Sequence, residues 1–224
     1  MANGAFVFFR SSALTVVIGL TGGIASGKSV VSEMLARRGA LIIDADKVGH
    51  EAYAPGSDCY REVVAAFGAD IVAADGTIDR RALGAKVFSD DAERQRLQDI
   101  VWPWMRRTME ARLAGLRAEG VPVVVLEAAV LIEADWLPLV DQVWVVTVPP
   151  AKARQRIVER NGLTPEQADA RIAAQLSNEE RTRHAQVVIE NDGSLDELEH
   201  RIDEAWRRLE SSGAAAAQAG GRDA

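Results

Sequence analysis

Gly22-Gly23-Ile24-Ala25-Ser26-Gly27-Lys28-Ser29 fits the phosphate-binding pattern G-x-x-x-x-G-K-[ST] at every fixed position. Glycines let the backbone wrap close to an anion, so that successive N–H groups and a helix N-terminus point at phosphate oxygens. Lys28 then supplies a mobile positive charge for the outer phosphates, and the Ser29 hydroxyl is placed to hold Mg²⁺. The chain has four lysines, Lys28, Lys47, Lys86 and Lys152, so one standing at the motif's fixed position is a specific signal. These residues imply a nucleoside triphosphate as ligand.

Phosphoryl transfer to an alcohol needs a base for the hydroxyl proton and cations to neutralise the transferred group. Asp44-Ala45-Asp46 closes a short apolar run. Ligands of open α/β sheets bind beyond the carboxyl ends of strands. Side chains alternate along extended chain, which would aim both carboxylates the same way. Asp46 is the candidate base, and Asp44 would position the acceptor or metal-bound water. The alternative for either is to cap the helix that follows. Val123-Val124-Val125-Leu126-Glu127 resembles a Walker-B strand, so Glu127 could hold water on Mg²⁺, and Glu133 is a second candidate. Arg154, Arg156 and Arg160 follow another apolar run, and Arg156 and Arg160 share a helix face. Such guanidinium groups can bind triphosphate oxygens and stabilise transition-state charge, or simply line a solvated face. Asn191-Asp192-Gly193 reads as a turn that could hold an adenine edge through its backbone.

The elements that must position these residues alternate along the chain. Strands are predicted over Thr15–Leu20, Ala40–Asp44, Val121–Glu127, Gln142–Val148 and Gln186–Glu190. Their continuous apolar character suits a parallel sheet covered on both faces. A helix is predicted over Ser29–Arg38, ended by Gly39. Two stretches interrupt the rhythm. Residues 45–120 carry only helical patterns and turns, with Pro103 expected to bend or break the helix over Asp90–Arg117. Residues 163–184 read as a helical lid capped by Thr164 with Pro165 in its first turn. The folded unit is expected over 15–210, between an N-terminal extension (1–14) and a disordered tail (211–224).

With 224 residues, 48% hydrophobic and 26% charged, the chain suits one soluble α/β domain with insertions. A net charge of −7 argues against a nucleic-acid binder, and no apolar run is long enough to span a bilayer. Cys59 is the single cysteine, which excludes an intrachain disulfide and fits a cytoplasmic location. It reads as a small buried hydrophobe, and His50, His184 and His200 lack metal-ligand spacing.

Taken in order, the pieces resemble the dephospho-CoA kinase family over nearly the whole folded unit. They are Leu20-Thr21-Gly22-Gly23-Ile24-Ala25-Ser26-Gly27-Lys28-Ser29, Ile43-Asp44-Ala45-Asp46, Pro55-Gly56, Phe67-Gly68 and Asp75-Gly76-Thr77-Ile78 with Arg81, Leu83 and Phe88. Val130-Leu131-Ile132-Glu133, Arg156, Arg160, Arg171, Gln175, Asn191 and Gly193 follow. The chain is similar also to the kinase half of animal bifunctional CoA synthase. The resemblance implies a three-layer P-loop NTPase fold with a central parallel sheet, a helical substrate-binding insertion and a helical lid. It implies transfer of the ATP γ-phosphate to the ribose 3′-hydroxyl of dephospho-CoA with Mg²⁺, by a monomer or small homo-oligomer. Asp46, Lys28 and Arg156 would be catalytic. The loop Ala25–Val30 would cradle ATP, with Arg156, Asn191 and Gly193 completing its site. Asp44, Arg81, Arg160, Arg171 and Gln175 would meet dephospho-CoA. The chain departs from the family at Trp102 (usually His), Ala129 (usually Pro), Val30 (often Thr) and Ala25 (usually Gly). The last is expected to require a negative φ. Rival readings are a kinase for a nucleoside monophosphate or sugar acid, and a nucleotide-binding protein without catalysis.

Overall fold

In the computed structural model, residues 15–88 and 90–220 are described. They fall into two compact units, Asp44–Ala114 and the remainder of the chain. The first 14 residues, where the N-terminal extension was expected, lie outside the described part.

The larger unit starts with β1 (Val16–Gly22), which runs through the phosphate-binding stretch into α1 (Lys28–Arg37) and then β2 (Leu41–Asp44). The smaller unit comprises α2 (Ala45–Ala52), α3 (Asp58–Phe67), α4 (Arg80–Val87) and most of α5 (Asp91–Ala118). The chain continues with β3 (Val123–Glu127), β4 (Gln142–Thr147), α6 (Pro150–Asn161), α7 (Pro165–Ala173), α8 (Asn178–Thr182), β5 (Val187–Glu190) and α9 (Leu195–Gly220).

The five strands form one sheet in the order β2-β3-β1-β4-β5. Strand β1 lies between β3 and β4 and pairs in parallel with both, Leu20 opposite Glu127 and Gly22 opposite Val146. Strand β5 pairs in parallel with β4. Alternate residues of a strand face opposite sides. Ile18 and Leu20 therefore join Val31, Leu35, Trp144, Ile202 and Trp206 in one core beneath α1 and α9. Gly19 faces the other side, where a Cβ would fall 2.7 Å from Leu131 and 3.0 Å from Val140. Both faces of β1 are thus covered, which is why its sequence shows no polar alternation. The arrangement is an α/β layered fold, and the central strand delivers the phosphate-binding loop to the carboxyl edge of the sheet.

Every predicted strand is present, with no end shifted by more than two residues. The helical stretches differ more. Helix α5 is continuous through Pro103 rather than broken there. Its buried residues Val101, Met105, Met109 and Leu113 recur every four positions on both sides of the proline. One continuous apolar stripe holds the helix together against the loss of a single hydrogen bond. The lid is two helices rather than one. Ser177 opens a capping box with Glu180 that starts α8 afresh, a local arrangement that competes with continuing α7. Helix α9 extends through residues 211–220, where a disordered tail was expected.

The smaller unit has its own core, built from Val48, Ala52, Cys59, Val63, Phe67, Ile71, Leu83, Val101, Met105 and Met109. Its helices are capped by Asp44, Ser57 and Asp79, each accepting backbone N–H groups of the first turn. Burial, with Glu62 adding to it, pushes the Cys59 thiol up to about 11. At pH 8 roughly one thiol in a thousand would be ionised. The native protein should therefore resist a disulfide-exchange reagent and react fully only in denaturant; rapid native labelling would contradict this burial.

Candidate active site

The phosphate-binding loop leaves β1 at Gly22 and enters α1 through Gly27, whose φ of 92° is left-handed. Helix α1 begins without a side-chain cap and with no acidic residue in its first turn. Its first N–H groups, together with the positive end of the helix dipole, therefore form an anion site. Lys28 is half-buried at the helix start, and Ser29 and Val30 are exposed beside it.

Ala25 has φ 58°, against the negative value expected for a non-glycine residue there. The left-handed region costs an L-residue about 1–2 kcal/mol, which the loop tolerates rather than forbids. Glycine would remove that cost but lose about 0.5–1 kcal/mol more chain entropy on folding. Ala25→Gly should therefore stabilise the fold modestly, by about 0.5 kcal/mol, seen as a higher urea midpoint. A lower midpoint would contradict the strain.

The strand ends bring acids to this loop. Glu127 closes β3, and the Ser29 hydroxyl donates to its Oε1 at 3.2 Å. A hydroxyl beside a carboxylate is a hard-oxygen donor set suited to Mg²⁺. Among the described residues no group of three or more acidic, histidine or cysteine side chains could hold a metal alone. Glu133 instead meets Arg181 at 3.0 Å. Arg181 is 1% exposed; its guanidinium also donates to the Ala129 carbonyl (3.1 Å), the Leu176 carbonyl (3.3 Å) and Thr21 Oγ1 (3.4 Å). This buried arginine ties α8 to the ends of β1 and β3.

The lid reaches the loop itself. The Ile24 N–H donates to Gln175 Oε1 at 2.8 Å, just beyond the end of α7. Helices α6 and α7 are joined by Arg154 and Asp169 at 3.3 Å. Arg160 lies exposed in the last turn of α6, and Arg171 lies exposed on α7.

Arg156 turns toward protein carbonyls. It donates to the Ala25 carbonyl at 3.1 Å and to the Asn191 carbonyl at 3.0 Å. Asn191 in turn donates from Nδ2 to the Ser26 carbonyl at 2.7 Å. Beyond it, Lys152 donates to the Asp192 carbonyl, and Arg201 to the Glu190 carbonyl and the Asp192 carboxylate. The hydrogen bond from Arg201 holds the Asp192 carboxyl below its ordinary range. A Cβ at Gly193 would fall 1.9 Å from the Glu197 carboxylate, which binds the Ser194 N–H and would have to move aside.

In the smaller unit, Asp46 is not on extended chain. It sits exposed in the first turn of α2, so the alternation argument for pairing it with Asp44 does not apply. Asp44 caps that helix, its Oδ1 accepting from the N–H groups of Asp46 (2.9 Å) and Lys47 (3.3 Å). Arg81 is exposed in the first turn of α4. The first unit thus assembles the loop, Glu127, Gln175, Arg156 and Asn191, while Asp44, Asp46 and Arg81 belong to the second. The sequence marks Arg181 only as one of the lid's arginines; its burial against Glu133, and the inward turn of the Asn191 side chain, are not legible there. The only local trace of the former was Ser177-Asn178-Glu179-Glu180, a capping box that starts a helix and so fixes which residues its buried face carries.

The dephospho-CoA kinase family model matches residues 16–197. The chain is 50% identical over 192 residues to the dephospho-CoA kinase of Geobacter sulfurreducens, covering 86% of this chain and 98% of that protein. It is 46% identical over 191 residues to that of Symbiobacterium thermophilum, covering 85% and 80%. A solved Thermus thermophilus structure superposes with TM-score 0.72 at 33% identity, covering 87% of this chain and 98% of that one. Dephospho-CoA kinase from Campylobacter jejuni shares the fold, with TM-score 0.69 at 24% identity over 88% and 98%. With the model spanning both units and the relatives agreeing along most of the chain, this protein belongs to the dephospho-CoA kinase family.

Proposed function

We propose that the chain transfers the γ-phosphoryl group of ATP to the ribose 3′-hydroxyl of dephospho-CoA, giving CoA and ADP. The observation that carries this reading is the uncapped α1 N-terminus behind a complete phosphate-binding loop, in a chain of this family. The backbone N–H groups of the loop bind the ATP phosphates. Lys28 offsets charge on the outer phosphates, where electrostatic stabilisation does most of the work of phosphoryl transfer. Ser29 and, through water, Glu127 would hold Mg²⁺, which neutralises phosphate charge and orients the transferred group. Glu133 is better suited to structure, because Arg181 already engages it.

Asp46 takes the proton from the 3′-hydroxyl as its oxygen attacks phosphorus and the bond to the ADP oxygen breaks. Its exposure in the first turn of α2 keeps it reachable. Arg81, Arg160 and Arg171 are exposed cations suited to the anionic groups of dephospho-CoA, and Asp44 orients the first turn that carries Asp46. Gln175 places the lid over the loop, where closure would exclude water and limit ATP hydrolysis. The backbone around Asn191 and Gly193 is suited to the adenine edge. The single buried cysteine suits a reducing compartment, and we place the enzyme in the cytoplasm. Among the described residues no helix is long and apolar enough to cross a membrane.

An acceptor panel tests the assignment. With MgATP, dephospho-CoA should give saturable turnover, while nucleoside monophosphates and sugar acids give none above background. Faster turnover of any of those acceptors would replace the substrate reading.

A further inference from the structure

The side chains of Asn191 and Arg156 are directed at the backbone of the phosphate-binding loop. Asn191 is 8% exposed, and its own N–H is anchored on the Thr147 carbonyl at 2.8 Å. Its Nδ2 donates to the Ser26 carbonyl at 2.7 Å. The fit is close: a Cβ at Gly27 would lie 2.2 Å from that nitrogen. Glycine is therefore required at position 27 twice over, by its φ of 92° and by the Asn191 carboxamide. Arg156 grips the preceding carbonyl, Ala25, while also binding the Asn191 carbonyl. Two adjacent loop carbonyls are thus held from outside by residues 131 and 165 positions away in sequence.

A trans peptide is planar, with its carbonyl and N–H on opposite edges. Fixing the Ser26 carbonyl toward Asn191 fixes the Gly27 N–H in the opposite direction, away from Asn191. Holding the Ala25 carbonyl steadies the peptide that follows the strained residue, whose Ser26 N–H closes a turn on the Gly23 carbonyl at 3.1 Å. We infer that Asn191 and Arg156 are positioning residues of the phosphate cradle: they hold two of its carbonyls outward, Asn191 setting the Gly27 N–H for phosphate before ATP arrives and Arg156 steadying the turn before it. Asn191 acts on the triphosphate rather than on the base, although it stands in the loop suited to adenine. The inference rests on the phosphate-loop reading above, and its test separates the two.

The probe is inorganic tripolyphosphate with Mg²⁺, which carries the phosphates without a base, titrated calorimetrically beside MgATP. Asn191→Ala and Asn191→Asp, the second nearly isosteric but unable to donate, are compared with wild type. Loss of one preorganising hydrogen bond should weaken both ligands by the same factor, about tenfold. The KM for ATP should rise in step while the KM for dephospho-CoA stays unchanged. Should Asn191→Ala not fold, judged by its melting curve, Arg156→Lys carries the same comparison. It keeps the charge but cannot bridge two carbonyls in the same fork. Weakening of ATP alone would make Asn191 a reader of adenine and overturn the inference, as would unchanged affinity for both ligands. Wild-type protein that binds neither ligand would instead remove the phosphate-loop reading on which the inference stands.

Discussion

Asp46→Asn should lower kcat by at least about a hundredfold, the lower end of what a positioned general base contributes. The carboxamide nearly matches the carboxylate in size but cannot take the hydroxyl proton at neutral pH. Asp44 accepts two backbone N–H bonds through Oδ1. The Asp46 N–H, not its side chain, is one of these donors, so the cap survives the substitution and α2 should keep its start. The defect should therefore appear in kcat, with the melting temperature and the KM for ATP near wild type. Wild-type turnover by Asp46→Asn would remove the base assignment. Asp44→Ala separates the roles. It should cost about 1 kcal/mol through loss of the cap, measured as a lower urea midpoint.

Arg181→Ala should destabilise the protein by about 3 kcal/mol. Breaking a buried ion pair from one side typically costs about 3–5 kcal/mol, because the partner keeps its charge without its counterion. The Glu133 side chain is 26% exposed, so water takes up part of its charge and the lower end applies. The Ala129 carbonyl also loses a donor. The check is the denaturant midpoint at unchanged slope; a loss below about 1 kcal/mol would mean that Arg181 carries little of the packing between α8 and the sheet. Arg181→Met, which fills the volume without charge, should recover part of the loss only when combined with Glu133→Gln.

How far the sequence announces this molecule depends on the range of the interaction concerned. The phosphate-binding loop and the five strands are local patterns: one sheet covered on both faces makes each strand a short apolar run, and the loop is a fixed spacing of small residues. Helix continuity depends on competition. Pro103 argues locally for a break, yet the buried stripe from Val101 to Leu113 prevails, while Ser177 and Glu180 end the lid's first helix without any glycine or proline. Asp46 illustrates a boundary effect, since a helix starting at Ala45 changes which way the side chain is carried. The roles of Asn191, Arg156 and Arg181 were least visible. Their partners lie far away in sequence, and an arginine that binds carbonyls has the same spelling as one that binds phosphate. Ala25 belongs with them, because a left-handed alanine becomes tolerable only once distant groups hold the peptide beside it.

The most direct measurement is ADP release from MgATP in the presence of dephospho-CoA, coupled to mass spectrometry of the acceptor. Phosphoryl transfer to dephospho-CoA predicts one product molecule per ADP, heavier by one phosphoryl group and identical to CoA. ADP release without CoA, or no ADP at all, would contradict it.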